Sequence, residues 1–552
     1  LTTDKKNIQA LVEVCRIKGI RHIVFSPGSR SAPLVIGFSQ VKEMQCTVIA
    51  DERVAGFFAL GIAQQSRIPV AVVCTSGTAV LNLAPAICEA YYQQVPLLIL
   101  TADRPPEYIG IGENQAILQT NIYSNYIRAS YTLSEDAKEA AKITAEAIDL
   151  STLGYGSPVH INIPLSEPLY GTADIPLADF SIAKIATQTL PPAPVISLSA
   201  KTMLICGMQQ PDAALQKIIQ KLSLRDDIVI VAEPLSNITV ANAVKNVDGT
   251  IILIKEEGYA AYAPDTIITI DGQIVSKRIR QFLRKVAPAN HYHISTDRGE
   301  WNGLGAKEYH HIVAEPKSFL AALSDTKCPP ADYNRLWQST YKKAIALTNE
   351  FARQCQFSDW SVFDHLTKSF PDGANIHYGN SSPVRYGGFF EHKASLSINS
   401  NRGTSGIDGC VSTAAGAAFQ SGKLTICIVG DISFLYDSNA LWNNALSPHL
   451  RIIVINNGGG NIFRLIEGPG KVHDFEKYFE ASHKLSAEYL AQMYQIPYYF
   501  CQSESDMVFV SGQFYKPQKG AKPAIMEIKT DGVISDEVYK QYFEFLKTGY
   551  VN

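Results

Sequence analysis

The stretch LTICIVGDISFLYDSNALWNNALSPHLRIIVINNGGG (424–460) decides how this chain is read. Its two apolar runs, LTICIVG and RIIVI, have the length and β-branched content of buried parallel strands. The first ends in Gly430-Asp431. The second ends in Asn456-Asn457 and passes directly into Gly458, Gly459 and Gly460. Open α/β sheets bind ligands in the crevice outside the carboxyl ends of their strands, so an Asp and an Asn placed there face one site. A carboxylate, an amide oxygen and a backbone carbonyl form a hard-oxygen set suited to Mg²⁺, which in turn bridges phosphate oxygens. Glycines let the backbone approach such a ligand closely. Either half alone is an ordinary strand end; the two together point to a site.

The same alternation of short apolar runs and helix-length segments fills most of the 552 residues, a length that exceeds one hydrophobic core. NIHYGN (375–380) and AIMEIK (524–529) add strands on either side of the decisive stretch. Toward the N-terminus, HIVFS (22–26), PVAVVCT (69–75), VPLLILTA (95–102) and SPVHINIP (157–164) read as fully buried parallel strands. GTAVLNLAPAICEAYYQQ (77–94) opens with glycine and has helical length, which completes a strand, turn, helix, strand unit. The middle of the chain reads likewise, through TMLICG (202–207), DIVIVAE (227–233), TIILIKE (250–256) and TIITID (266–271). Proline clusters at LPPAPVIS (190–197) and KCPPADYN (327–334) cannot continue a helix or a central strand. They divide the chain into 1–188, 195–327 and 335–552, and the expected fold is three doubly wound, parallel-sheet α/β domains.

Lys and Arg number 49 against 52 Asp and Glu, so no bulk basic face is available for nucleic acid. The 10 cysteines form no C-x-x-C pair, and several, such as Cys74 and Cys427, sit inside apolar runs. They read as reduced thiols buried as small hydrophobes. No run approaches the ~18–20 apolar residues of a membrane span, and the N-terminal residues lack a leader pattern; a soluble, cytoplasmic protein is expected. The His pairs at 291/293 and 310/311 lie in a polar stretch without further ligand-spaced Cys or His, so zinc is not expected. GMQQ (207–210) lacks the glycine fingerprint of a dinucleotide-binding turn.

Gly430-Asp431 followed by Asn456-Asn457 resembles the diphosphate-binding motif of thiamine-diphosphate (ThDP) enzymes, with Ile432 where that motif has a glycine. SPGSRSAPL (26–34), TADRPPE (101–107), SPVHINIPLSEPLY (157–170) and SNRGTSGIDGCVSTAAG (400–416) narrow the likeness. Together they resemble the 2-succinyl-5-enolpyruvyl-6-hydroxy-3-cyclohexene-1-carboxylate synthase family of menaquinone biosynthesis; the middle third matches only weakly. The resemblance implies ThDP held through Mg²⁺, or Mn²⁺, by Asp431, Asn457 and the carbonyl of Gly459. Ser433 would donate to the diphosphate, Ile407 would prop the cofactor, and Gly406, Ile432, Ile462, Phe463 and Ser381 would line its pocket. Glu52, in DERVAGFFALG (51–61), would be the catalytic acid. Bonded to N1′ of the aminopyrimidine, such a carboxyl favours the tautomer that takes the proton from thiazolium C2. Read alone, Glu52 is an acid complementing a helix dipole. Because Glu52 and Asp431 lie in different domains, the cofactor must sit between them. The resemblance implies that the two come from different subunits of a homodimer or homotetramer.

Arg30, Arg104, Arg385 and Arg402 all follow presumed strand ends, and Lys277-Arg278 joins them from the middle domain. Several guanidinium groups in one cleft suit ligands with several carboxylates, although each arginine alone reads equally well as a structural ion pair. The resemblance implies 2-oxoglutarate as donor and isochorismate as acceptor, oriented by Ser29, Ser31, Asn114, Gln115 and Ser381. Two other readings stay open. One is an acetolactate-synthase-like or decarboxylating ThDP enzyme acting on pyruvate; the other is a catalytically inert metabolite-binding relative.

Overall fold

A computed structural model of the chain describes residues 1–174, 190–194, 196–297, 303–327, 329–465, 468, 472–518 and 520–548. Three six-stranded sheets succeed one another along these residues, and every strand pair within them is parallel. This is the expected architecture of three α/β domains. The boundaries expected at 188 and 195 lie outside the described residues.

From edge to edge the first sheet runs Gln45–Val48, His22–Phe25, Val70–Cys74, Leu97–Asp103, Val159–Pro164, Ser130–Thr132. The third runs Ser397–Ser400, Asn375–Tyr378, Thr425–Gly430, Leu450–Asn456, Ala524–Lys529, Tyr498–Cys501. Counted along the chain, both follow the order second, first, third, fourth, sixth, fifth. The middle sheet differs: Ala243–Val244, Ile228–Ala232, Thr202–Cys206, Thr266–Ile270, Asn290–Ser295, Glu308–Val313. The middle order reverses once and the other two reverse twice; the crevice beside the first strand, where the order turns, is where such sheets take ligands. In the third sheet that point lies between Asn375–Tyr378 and Thr425–Gly430, which places Asp431 on its rim.

The central strands are buried along their length because helices cover both faces, which is why they read as unbroken apolar runs. Three local expectations are corrected. TIILIKE is not a strand: Asn246 accepts the Gly249 N–H at 2.9 Å and caps a helix, Val247–Ile251. Its buried residues Ile251 and Ile254 recur at helical spacing. The segment 77–94 is two helices, Thr78–Asn82 and Ala84–Gln93, because Pro85 is tolerated only in a first turn. The histidine pairs lie on neighbouring strands, where the Thr269 hydroxyl meets His291 Nε2 at 2.8 Å and His293 Nδ1 at 2.9 Å.

The first and third domains meet through helices Glu52–Ser66 and Cys410–Ser421, which share one apolar core. Their backbones cross so closely that a Cβ on Gly61 would lie 2.0 Å from the Thr413 carbonyl. A Cβ on Gly416 would lie equally close to that of Phe58, at 2.0 Å. The middle domain docks on an edge strand: the Asn237 amide bonds both backbone groups of Ile398, at 3.0 and 2.8 Å, covering an otherwise open edge. The nine described cysteines are free and most are buried, while Cys328 lies outside the described residues. Among the described residues no helix is long and apolar enough to cross a membrane.

Candidate active site

Asp431 is the first residue of helix Asp431–Tyr436, directly after its strand. Its Oδ1 accepts the Ile432 N–H at 2.7 Å, and Oδ2 accepts those of Gly458 and Gly459 at 2.8 and 3.0 Å. These bonds draw the glycine run across the carboxylate, and Gly458 turns with φ +89, a conformation open to glycine. Burial raises the Asp431 carboxyl above the usual carboxylate range, against the pull of the Ile432 N–H and of His483. Ile432 is helical, so the position does not require glycine.

The two asparagines are not equivalent. Asn456 is fully engaged: its Nδ2 donates to Glu527 and to the Leu485 carbonyl, and its Oδ1 accepts Lys529 Nζ at 3.0 Å. Asn457 donates only its Nδ2, to Asp359 Oδ2 at 2.8 Å, and Asp359 Oδ1 is held by the Thr530 hydroxyl at 2.6 Å. The Asn457 Oδ1 is therefore buried with no hydrogen-bond partner, which is costly unless another group completes it. The Gly459 carbonyl accepts the Asn461 N–H at 2.9 Å and keeps a second lone pair. Asp431, Asn457 and Gly459 line one cavity of 330 Å³. One carboxylate and two neutral oxygens, one of them orphaned, fit a hard divalent cation. Among the described residues no group of three His, Cys, Asp or Glu is placed to hold a metal.

Ser381, Arg385, Arg402, Ile407, Ile432, Ser433, Ile462 and Phe463 line the same cavity. Ser381 holds φ 72, an uncommon conformation for a residue with a side chain, and its carbonyl accepts from the Arg385 guanidinium. Arg385 stands on a short helix, Ser382–Gly387, rather than in a turn. Arg402 Nη1 donates to Asn380 Oδ1 at 3.2 Å, and burial, reinforced by Arg385, lowers its guanidinium to about 10. The Ser433 hydroxyl donates to the Ile407 carbonyl at 2.9 Å. Gly406 does not line the cavity; its carbonyl accepts Asn380 Nδ2 at 2.6 Å. A second cavity, of 430 Å³, shares Arg385 and Ile462 with the first and adds Lys277 and Arg278 from the middle domain.

The first-domain candidates stand apart from these. Arg30 is buried, donating to the Leu165 carbonyl at 2.8 Å and pairing with Glu167 at 3.3 Å. Arg104 Nε donates to the Asn114 carbonyl at 3.1 Å, and Asn114, Gln115 and Ser29 are exposed. The Ser31 hydroxyl donates to the Gly28 carbonyl at 3.0 Å. Within one chain the four arginines thus form two pairs on two domains. Glu52 opens its helix beside the capping Asp51, half-buried, with Asn82 Nδ2 3.4 Å from Oε2. It does not line the Asp431 cavity.

Sequence reasoning missed Asp359 and Glu89. Asp359 looks like any acid in a helix first turn. The buried Glu89 carboxylate accepts the Gly403 N–H at 2.7 Å and the Thr404 N–H at 2.6 Å, and so ties the Arg402 loop to the first domain. One charge in the apolar run APAICEAYY was the available signal.

Residues 6–124 match the family model of the N-terminal TPP-binding domain of thiamine pyrophosphate enzymes. Over nearly its whole length the chain is similar to proteins named 2-succinyl-5-enolpyruvyl-6-hydroxy-3-cyclohexene-1-carboxylate synthase. It is 40% identical to that of Flavobacterium psychrophilum, covering 98% of each chain. It is 40% identical to that of Flavobacterium johnsoniae, again over 98% of each. With that of Bacteroides thetaiotaomicron the identity is 35% over 99% of each.

Proposed function

The chain belongs to the 2-succinyl-5-enolpyruvyl-6-hydroxy-3-cyclohexene-1-carboxylate synthase family of ThDP-dependent enzymes, and from that premise we propose that it joins decarboxylated 2-oxoglutarate to isochorismate. The observation that carries the reading is the orphaned Asn457 Oδ1 beside Asp431, in a cavity whose rim holds Arg385 and Arg402. Asp431, Asn457 and the Gly459 carbonyl would hold Mg²⁺ and, through it, the cofactor's diphosphate. Bound ThDP supplies a thiazolium that accepts the electron pair released when a 2-oxoacid loses CO₂. Arg385 and Arg402 face the same space and would grip the donor's carboxylates. Lys277 and Arg278, across the shared Arg385, would take those of the acceptor. Ile407, Ile462 and Phe463 line the cavity with apolar surface and would exclude the water that quenches a carbanion.

Glu52 lies away from the Asp431 cavity of its own chain, which supports a site completed by the partner subunit's Glu52. There its carboxyl would share a proton with the pyrimidine N1′. Exposed apolar side chains on neighbouring elements, Leu81, Tyr436 and Trp442, are in keeping with a partner covering this face. A cytoplasmic location goes with the water-soluble substrates.

Product analysis by mass spectrometry, with 2-oxoglutarate and pyruvate offered together alongside isochorismate, tests the assignment. A succinyl-bearing adduct is expected. Products derived from pyruvate alone, or an aldehyde with no adduct, would assign the chain to the pyruvate-type reading.

A further inference from the structure

The second cavity, whose cationic lining residues are Lys277, Arg278 and Arg385, also receives two acids of the middle domain, Glu233 and Asp248. Glu233 follows strand Ile228–Ala232, and both of its carboxylate oxygens are engaged. Oε2 accepts the Val275 N–H at 2.6 Å and Oε1 the Ser276 N–H at 2.7 Å. The gripped segment follows strand Thr266–Ile270, so the carboxylate reaches across the end of the intervening strand Thr202–Cys206. Ser276 caps helix Lys277–Val286: its Oγ accepts the Ile279 N–H at 3.1 Å and donates to Asp248 Oδ1. Lys277 and Arg278 are the first two residues of that helix. Cations there oppose the helix dipole, and Asp248 interacts electrostatically with Arg278. Phe543 of the third domain carries the Arg278 guanidinium at 4.3 Å from its ring centroid.

We propose that Glu233 and Asp248 are positioning residues: by fixing Ser276 they aim Lys277 and Arg278 into the cleft, so that the middle domain sets affinity for the acceptor. This rests on the functional reading above. It is tested by steady-state kinetics of Glu233→Gln and Asp248→Asn beside the wild type. Isochorismate and 2-oxoglutarate are varied in turn, and ThDP affinity is measured by calorimetry. A glutamine can present only one acceptor oxygen to the two N–H groups, so the KM for isochorismate should rise about 10-fold. The kcat at saturation should stay within about threefold, with ThDP affinity and the KM for 2-oxoglutarate unchanged. Ser276→Ala keeps both acids but cuts the link to Asp248; it should show the same selective shift, and it replaces Glu233→Gln if that variant does not fold. A lowered melting temperature with an unchanged KM for isochorismate, or equal losses in every parameter, would overturn the positioning role alone. A wild type that leaves isochorismate untouched would overturn the functional reading and this inference with it.

Discussion

Asn457 carries one amide with two different fates: its Nδ2 is held by Asp359, and its Oδ1 is left buried without a partner. If Asp359 sets that orientation, Asp359→Ala should weaken Mg²⁺-dependent ThDP binding about 10- to 100-fold, read by titration calorimetry. Asp359→Asn, which can still accept from Asn457, should lose less; equal affinity in all three proteins would exclude the role. Glu52→Gln should lower kcat by about 10²-fold or more while ThDP still binds, because it removes a proton-sharing group and leaves the diphosphate site intact. At this scale the sequence was partly legible. Asp431 and Asn457 draw notice because each directly follows an apolar strand. That Asn457 rather than Asn456 is the free amide depends on Glu527, Leu485 and Lys529, residues brought in by tertiary folding.

The crossing of helices Glu52–Ser66 and Cys410–Ser421 makes the elements dependent on each other. Any side chain at Gly61 meets backbone rather than a movable side chain. Gly61→Ala should therefore destabilise the chain by about 1–3 kcal/mol or more, seen as an earlier thermal or denaturant transition, and an unchanged transition would show that the helices can move apart. Both helices were readable as segments, but their contact was not, since a glycine on a helix face gives no sign of what approaches it. Strands covered on both faces were the clearest elements. TIILIKE shows the limit: a short apolar run carries no period of its own, and the Asn246 cap decided for helix. The strands Asn290–Ser295 and Glu308–Val313 were hidden by their histidines, whose ring nitrogens find partners such as Thr269 and Ser295.

Across the whole molecule, the first and third sheets share one strand order and the middle sheet has another, and the middle domain docks on the third through Asn237 and Ile398. Three domains were legible from the proline clusters and strand runs; the matching order was not, because it depends on which strands pair. Buried titratable groups give the folded chain a distinct pH response. Burial raises the carboxyls of Glu233 and Asp437 to about 7. Between their ordinary value of about 4 and that value the folded state binds more protons than the unfolded. Their contribution to stability therefore grows as pH falls through 7. Burial lowers His160 and His377 to about 3 and His291 and His392 to about 4. Their contribution is full above the ordinary histidine value of about 6.5 and is lost as pH falls below it. The apparent melting temperature should rise from about pH 8 to about 6.5 and stop rising below that; a steady rise toward pH 8 would contradict this account.

The most direct measurement follows the isochorismate absorbance on mixing the purified chain with ThDP, Mg²⁺ and 2-oxoglutarate, then omitting each component in turn. Loss of absorbance is expected only when all are present, and it should be abolished in Asp431→Ala. Loss without ThDP, or none with every component present and ThDP bound, would contradict the proposed function.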